Sequence, residues 1–436
     1  MDRQLFIRDI FAREIFDSHG NPTVEAEVLA GEDTVGTASV PSEVPGEGDR
    51  EAGENTAGRG NAEAGGESVR DTRRTEQAAE TMNSITAAEL IGRNVFDQEE
   101  IDRVLTRSSG ISEEERPGGN VSLAVSAAAA RAAACSLRVP LYRCLGGVQA
   151  DRLPVPMVNV LDGGVLVPNR LDLKEIMVAP TGKRPFYEGL ADCAKVYHAL
   201  EREIRRRNLP ASVSGTGGFT SDLGDTKESL RAVRRAAEQC GLRPGRDIVI
   251  AVNAAADDLY DAERKVYIFR GEGGEKGSAV TRNAGEMTEY YEDLMAEFPI
   301  CSIEDPLGAE DWEGWKVITK LLGERVRIVG AELFGFDIDR LRRGIRIGAA
   351  NAVSVRVSRA RTLTEIFEII REAKEAGYDL VISQGHGETE DSLVSDIAVA
   401  FRADQIRAGA PCGAEHMAKY NRLLRIGECL GWSSKA

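Results

Sequence analysis

At 436 residues the chain is too long for one small core, so a large domain with a smaller one is expected. Its composition, 42% hydrophobic and 29% charged, is ordinary for a globular protein, and a formal charge of −16 opposes nonspecific binding to nucleic acid or anionic membrane. Seven scattered cysteines with no Cys-x-x-Cys pair argue against a disulfide framework or zinc site and suit a reducing cytoplasm. No apolar run is read as long enough to span a membrane, and the opening MDRQLFIRDIF lacks a signal-peptide profile. Arginine outnumbers lysine 44 to 11, and the first 150 residues hold no lysine, a bias read mainly as GC-rich codon usage.

From Gln4 to Leu29 apolar and polar residues alternate around the turn signal Ser18-His19-Gly20-Asn21-Pro22, which predicts a β-meander. Residues 43–76 are Gly, Glu, Ala, Asn and Arg with no aromatic, too little apolar surface to offset ordering entropy, and are expected to be mobile. Helical periods over Thr75–Ile91, Asp97–Leu105 and Val121–Leu137 close a small α+β domain at residues 1–145. Residues 146–436 alternate β-rich runs with helical stretches. The runs are Val155–Leu161, Ile248–Val252, Ile300–Ile303, Arg327–Gly330, Ala352–Val357 and Leu380–Ser383. Helices separate them, among them Met287–Glu297, Ile338–Ile347 and Thr362–Ala376. This alternation predicts a (β/α)8 barrel with its site at the carboxyl ends of the strands.

Five segments, in order along the chain, resemble enolase. They are Ala12 to Glu25, Leu153 to Met157, Ser302-Ile303-Glu304-Asp305, Gly387 to Asp391 and Ala418 to Ile426. The resemblance covers nearly the whole chain except residues 43–76 and implies the enolase fold and its homodimer. It also implies a reaction in which a neutral lysine removes a carbon-bound proton, two Mg²⁺ stabilise the resulting dianion, and a glutamate helps the hydroxyl leave.

Matched position by position, that machinery is largely gone. The base lysine corresponds to Arg356, and a guanidinium keeps its proton at any accessible pH. The acid's pattern reads Ser214-Gly215-Thr216-Gly217-Gly218-Phe219, in which Thr216 has no acidic proton to give. Of the three metal carboxylates one persists as Glu304, and the others match Asn253 and Ala331. One carboxylate with one amide is a poor cage for octahedral Mg²⁺. Glu332 follows Ala331 but is assigned to the opposite strand face. The family's histidine matches Leu166, its His-Arg-Ser contact matches Gln384-Gly385-His386, and its lid serine matches Pro45. Glu175 is retained, and the lysine that contacts substrate matches Arg407.

The candidate site is therefore Glu175 and His386 for acid–base work, with Arg356, Arg359, Arg407 and Gln384 binding substrate. Glu304 and Asn253 are what remains for metal. Each has a plainer reading: the arginines as codon drift, His386 as a bystander, and Glu175 and Glu304 as partners for arginine. Loss of four acidic groups should leave the mouth cationic without metal, suited to a phosphorylated or phosphonylated small carboxylic acid. Mg²⁺, where it enters, is expected to come with the substrate's own phosphate oxygens. Two functions remain open. One is a transferase of a phosphonyl or phosphoryl group from a nucleotide-activated donor to a phosphoglycerate-type acid. This is the carboxyphosphonoenolpyruvate-forming step assigned to enolase-like proteins in phosphinothricin-type antibiotic pathways. The other is a noncatalytic ligand-binding or assembly protein.

Overall fold

The computed structural model describes residues 4–42, 75–107, 119–164, 167–182, 184–276, 279–385 and 387–431. Contacts group the chain into two units. One joins Met1–Ala150 with Arg356–Glu368 and Gln384–Phe401; the other joins Asp151–Val355, Ile369–Ser383 and Arg402–Ala436. Most of the segment expected to be mobile, 43–74, lies outside the described residues. Residues 75–81 are helical, so the helix begins inside the stretch assigned to the loop.

In the first unit the meander forms as an antiparallel sheet of β1 (Ile7–Phe16), β2 (Pro22–Ala30) and β3 (Thr34–Val40). Its turn is tied by Asp17, whose Oδ1 accepts from the backbone N–H groups of His19 and Asn21 at 2.8 Å each. Val24, Ala26, Val28 and Ala30 alternate into the core. Against them lies the Ala-rich helix Gly119–Leu137. A Cβ at Gly36 would stand 2.0 Å from the Ala128 carbonyl oxygen, so only glycine allows this approach. The helix is in fact long and apolar enough to cross a membrane, contrary to the reading of the sequence, but most of it is buried against the sheet. Its composition serves close packing on β2 and β3. Arg131 on this helix grips both carboxylate oxygens of Asp391 at 2.6 Å.

The second unit carries the barrel. Its strands are β4 (Val155–Asp162), β5 (Glu175–Pro180) and β6 (Ile248–Asn253), followed by an inserted three-stranded sheet, β7 (Tyr260–Asp261), β8 (Val266–Phe269) and β9 (Val280–Arg282). Then come β10 (Ile300–Glu304), β11 (Arg327–Gly330), β12 (Ala352–Arg356), β13 (Asp379–Ser383) and β14 (Gln405–Arg407). Barrel closure follows the order β4-β5-β6-β10-β11-β12-β13-β14. Met157, Met177, Ala179, Ala251, Val329, Ala352 and Val381 form one buried cluster across the strands. Helices start where side chains can cap them: Asn283 with Glu286 forms a capping box, and Asp225, Asp311 and Asp337 accept from first-turn N–H groups.

One strand breaks the uniform alternation expected from the sequence. β5 runs antiparallel to both β4 and β6. Its first residue, Glu175, therefore lies at the end where its neighbours finish. The register pairs Asp162 with Glu175, Glu175 with Asn253, and Asn253 with Glu304, a polar row across four adjacent strands.

Candidate functional site

At the end of β14, Arg407 pairs in register with Met157 of β4, and its side chain reaches the carboxylates of this row. It is 6% exposed, beside Glu175 at 4% and Glu304 at 2%, so the three charges are out of bulk water. Arg407 Nη1 donates to Glu175 Oε2 at 2.5 Å and stands 3.1 Å from Glu304 Oε1. Its Nε and Nη2 both donate to Ser383 Oγ, at 3.1 and 2.9 Å, from the end of β13. Burial alone would lower the pKa of this guanidinium, but the charges of Glu175 and Glu304 outweigh it and hold the pKa raised. Glu175 also accepts from Asn253 Nδ2 at 3.1 Å and from Asn159 Nδ2 at 3.2 Å. Both carboxylate oxygens of Glu175 are therefore already engaged by donors.

A second cluster adjoins it through Asn159, whose Nδ2 also lies 3.2 Å from Asp162 Oδ1 and 3.1 Å from Thr216 Oγ1. Asp162 Oδ2 accepts from Thr216 Oγ1 at 2.5 Å and from Ser214 Oγ. Burial, then the charge of Glu175, raises the Asp162 pKa to about 6, although the bonds from Ser214, Thr216 and Asn159 pull it back. The sequence reading passed over Asp162 because it ended the β-run at Leu161. The available signal was a carboxylate directly before Gly163-Gly164 at a strand end.

A third group follows β10. Asp305, at φ +44°, accepts from the Ala331 and Glu332 N–H groups at 2.9 and 3.1 Å. Glu332 is not on the opposite face of a strand, the place expected from the sequence, since β11 ends at Gly330 and Glu332 lies in the following turn. Burial first, then the charges of Glu304 and Glu332, raises the Asp305 pKa to about 8. In the folded protein Asp305 thus keeps a proton that the unfolded chain releases near its ordinary value of 3.8. Stability from this group is complete below the unfolded value and lost as pH rises through about 8. Denaturation midpoints measured from pH 6 to 9 are expected to fall, and Asp305→Asn should flatten that slope. An unchanged slope in the variant would place the titration elsewhere.

The metal candidates do not fit a resident Mg²⁺. Glu304 faces the guanidinium of Arg407, while Asn253 spends its Nδ2 on Glu175 and its Oδ1 on the Ala255 N–H at 3.0 Å. Among the described residues no group of three or more His, Cys, Asp and Glu side chains is placed to hold a metal ion. Calorimetry with Mg²⁺ alone is therefore expected to show no tight site. Two tight sites would mean that Glu332 or Asp305 turns inward as a ligand.

The structure thus brings Glu175, Asn253, Glu304 and Arg407 together. Arg356 is the last residue of β12 and is half-buried, and Arg359 closes the single turn Val357–Arg359. Gln384 is buried directly after β13. By contacts Arg356, Arg359 and Gln384 fall in the unit of residues 1–150. His386, Leu166 and Pro45 lie outside the described residues. Arg361 is exposed and paired with Glu365 at 3.1 Å, as expected for a solvated loop arginine.

The chain matches the family model of the enolase N-terminal domain over residues 7–145. Residues 150–436 match that of the enolase C-terminal TIM barrel domain. Together these two matches span almost its entire length, and the protein belongs to the enolase family.

Proposed function

We propose that this enolase-family protein does not dehydrate 2-phosphoglycerate and instead transfers a phosphonyl or phosphoryl group to a phosphoglycerate-type acid. The reaction we favour is the phosphonoformyl transfer on the way to carboxyphosphonoenolpyruvate in phosphonate antibiotic biosynthesis; the elimination that forms the enolpyruvate double bond removes a carbon-bound proton and belongs to a separate step. The observation that carries the reading is Arg407 seated between Glu175 and Glu304. A guanidinium there neutralises carboxylates that carbon-acid chemistry would need for a metal or for proton transfer. Transfer to phosphorus needs no carbon-bound proton removed; its demands are alignment of two anions and neutralisation of charge.

This assignment changes the part given to Arg407. Its charge is held against Glu175 and Glu304, and we assign the incoming anions to Arg356 at the end of β12 and Arg359 in the turn after it, for the planar fork that a guanidinium offers carboxylate or phosphate. The homodimer, the cytoplasmic location and any Mg²⁺ carried in on substrate phosphates belong to the same reading. Incubation with nucleotide-activated phosphonoformate and 2- or 3-phosphoglycerate, followed by chromatography, is expected to show release of nucleotide that needs both substrates. Absence of release, with Arg356→Ala leaving ligand-induced thermal shifts unchanged, would favour a noncatalytic ligand-binding or assembly role.

A further inference from the structure

The geometry points to Asp162, working through the Thr216 hydroxyl, as the group that takes the proton from the acceptor's hydroxyl; this rests on the transferase reading above. Asp162 is buried, whereas Thr216 is half-buried and follows the exposed Gly215. Thr216 thus joins a sequestered carboxylate to a loop that is partly open to solvent. Thr216 Oγ1 donates to Asp162 Oδ2 at 2.5 Å, and Ser214 Oγ, 3.0 Å from Thr216 Oγ1, holds the same carboxylate oxygen. Gly218 leaves the space for this contact, since a Cβ there would meet the Asp162 carboxyl at 2.5 Å.

Other carboxylates in the cluster are less suited. Glu175 is bound by Arg407, Asn159 and Asn253, and Glu304 faces Arg407. The groups bearing on Asp162 are Glu175 from β5, Asn159 from its own strand, Ser214 and Thr216 from the loop, Tyr197 from the helix Phe186–Arg206, and Cys412. Burial and the Glu175 charge raise its pKa to about 6, which leaves Asp162 mainly ionised near pH 7 yet more basic than an ordinary aspartate.

In the step, the acceptor oxygen forms a bond to phosphorus as the phosphorus–oxygen bond to the nucleotide breaks. The nucleotide leaves with that electron pair. The acceptor's proton passes to Thr216 Oγ1, the Thr216 proton passes to the Asp162 carboxylate, and Asp162 later returns a proton to water. Thr216, which has no acidity of its own, serves as a relay.

The test uses Asp162→Asn, Thr216→Val and Thr216→Ser in the full chain, with two readouts. The first is nucleotide release against pH. Wild type is expected to lose rate as pH falls through about 6. Asp162→Asn should lose about 10²–10⁴ in rate together with that acid limb, Thr216→Val about 10², and Thr216→Ser little. Release within tenfold of wild type in Thr216→Val overturns the proposal, even if Asp162→Asn fails to fold. The second readout, difference infrared spectroscopy of carboxyl protonation, does not depend on turnover. A carboxyl titrating near pH 6 should move upward in Thr216→Val, which loses a bond to the carboxylate, and stay in place in Thr216→Ser. If wild type releases no nucleotide but this shift is seen, the transferase reading fails while the Asp162–Thr216 proton unit stands. If neither is seen, both fall.

Discussion

Arg407→Ala is expected to cost about 3–5 kcal/mol of folding stability, the effect of removing one partner from a buried ionic cluster. Arg407 compensates two carboxylates that water barely reaches, Glu175 and Glu304. Alanine would remove the cation that both carboxylates share and the two bonds that Ser383 Oγ accepts from Nε and Nη2. Arg407→Lys should recover only part of the loss. One ammonium cannot fork toward Glu175, Glu304 and Ser383 at once. Substituting all three charges together, as Arg407→Met with Glu175→Gln and Glu304→Gln, should be far milder than Arg407→Ala, because no buried charge is left alone. Urea denaturation of the four proteins decides the matter. A loss under about 1 kcal/mol in Arg407→Ala would show that solvent, and not the arginine, balances the carboxylates.

That cluster also marks how far the sequence could be read. The meander, the strand runs of the barrel and the helices between them were legible because apolar period and turn residues are local signals. The observed β11 coincides with the expected Arg327–Gly330, and β6 with Ile248–Val252 plus one residue. The reversed direction of β5 was not legible, since the period of a strand is the same in either direction. Without it, Glu175 could not be set beside Asp162 and Asn253, and Asp162 went unnoticed. Position by position, the altered chemistry at residues 216, 253, 331 and 356 was visible. What it became was not, because the ion pairs of Arg407 and the bond from Thr216 to Asp162 join residues hundreds or tens of positions apart. Such pairings leave no mark on local composition.

The purified protein is expected to form no phosphoenolpyruvate from 2-phosphoglycerate above the uncatalysed rate, measured by absorbance with host enolase excluded. The losses are cumulative. A missing general base or acid each costs about 10²–10⁴ in rate, so losing both removes about 10⁴–10⁸ before any other defect is counted. Asp162 could hand back a proton through Thr216, which would restore part of the acid's role. It cannot supply the base. The residue at the end of β12 is Arg356, whose side chain holds its proton too tightly to accept another. Arg356→Lys alone should therefore leave the protein inactive as a dehydratase, because Asn253 and Ala331 stand where carboxylates are needed and Glu304 faces Arg407. Dehydratase turnover in wild type would require an unseen base and a rearranged Glu304, and would overturn both the loss of the parent activity and the fixed place assigned to Arg407. Turnover appearing only in Arg356→Lys would be narrower in its meaning: the acid and the charge stabilisation survived, and the single arginine is what separates this protein from its family.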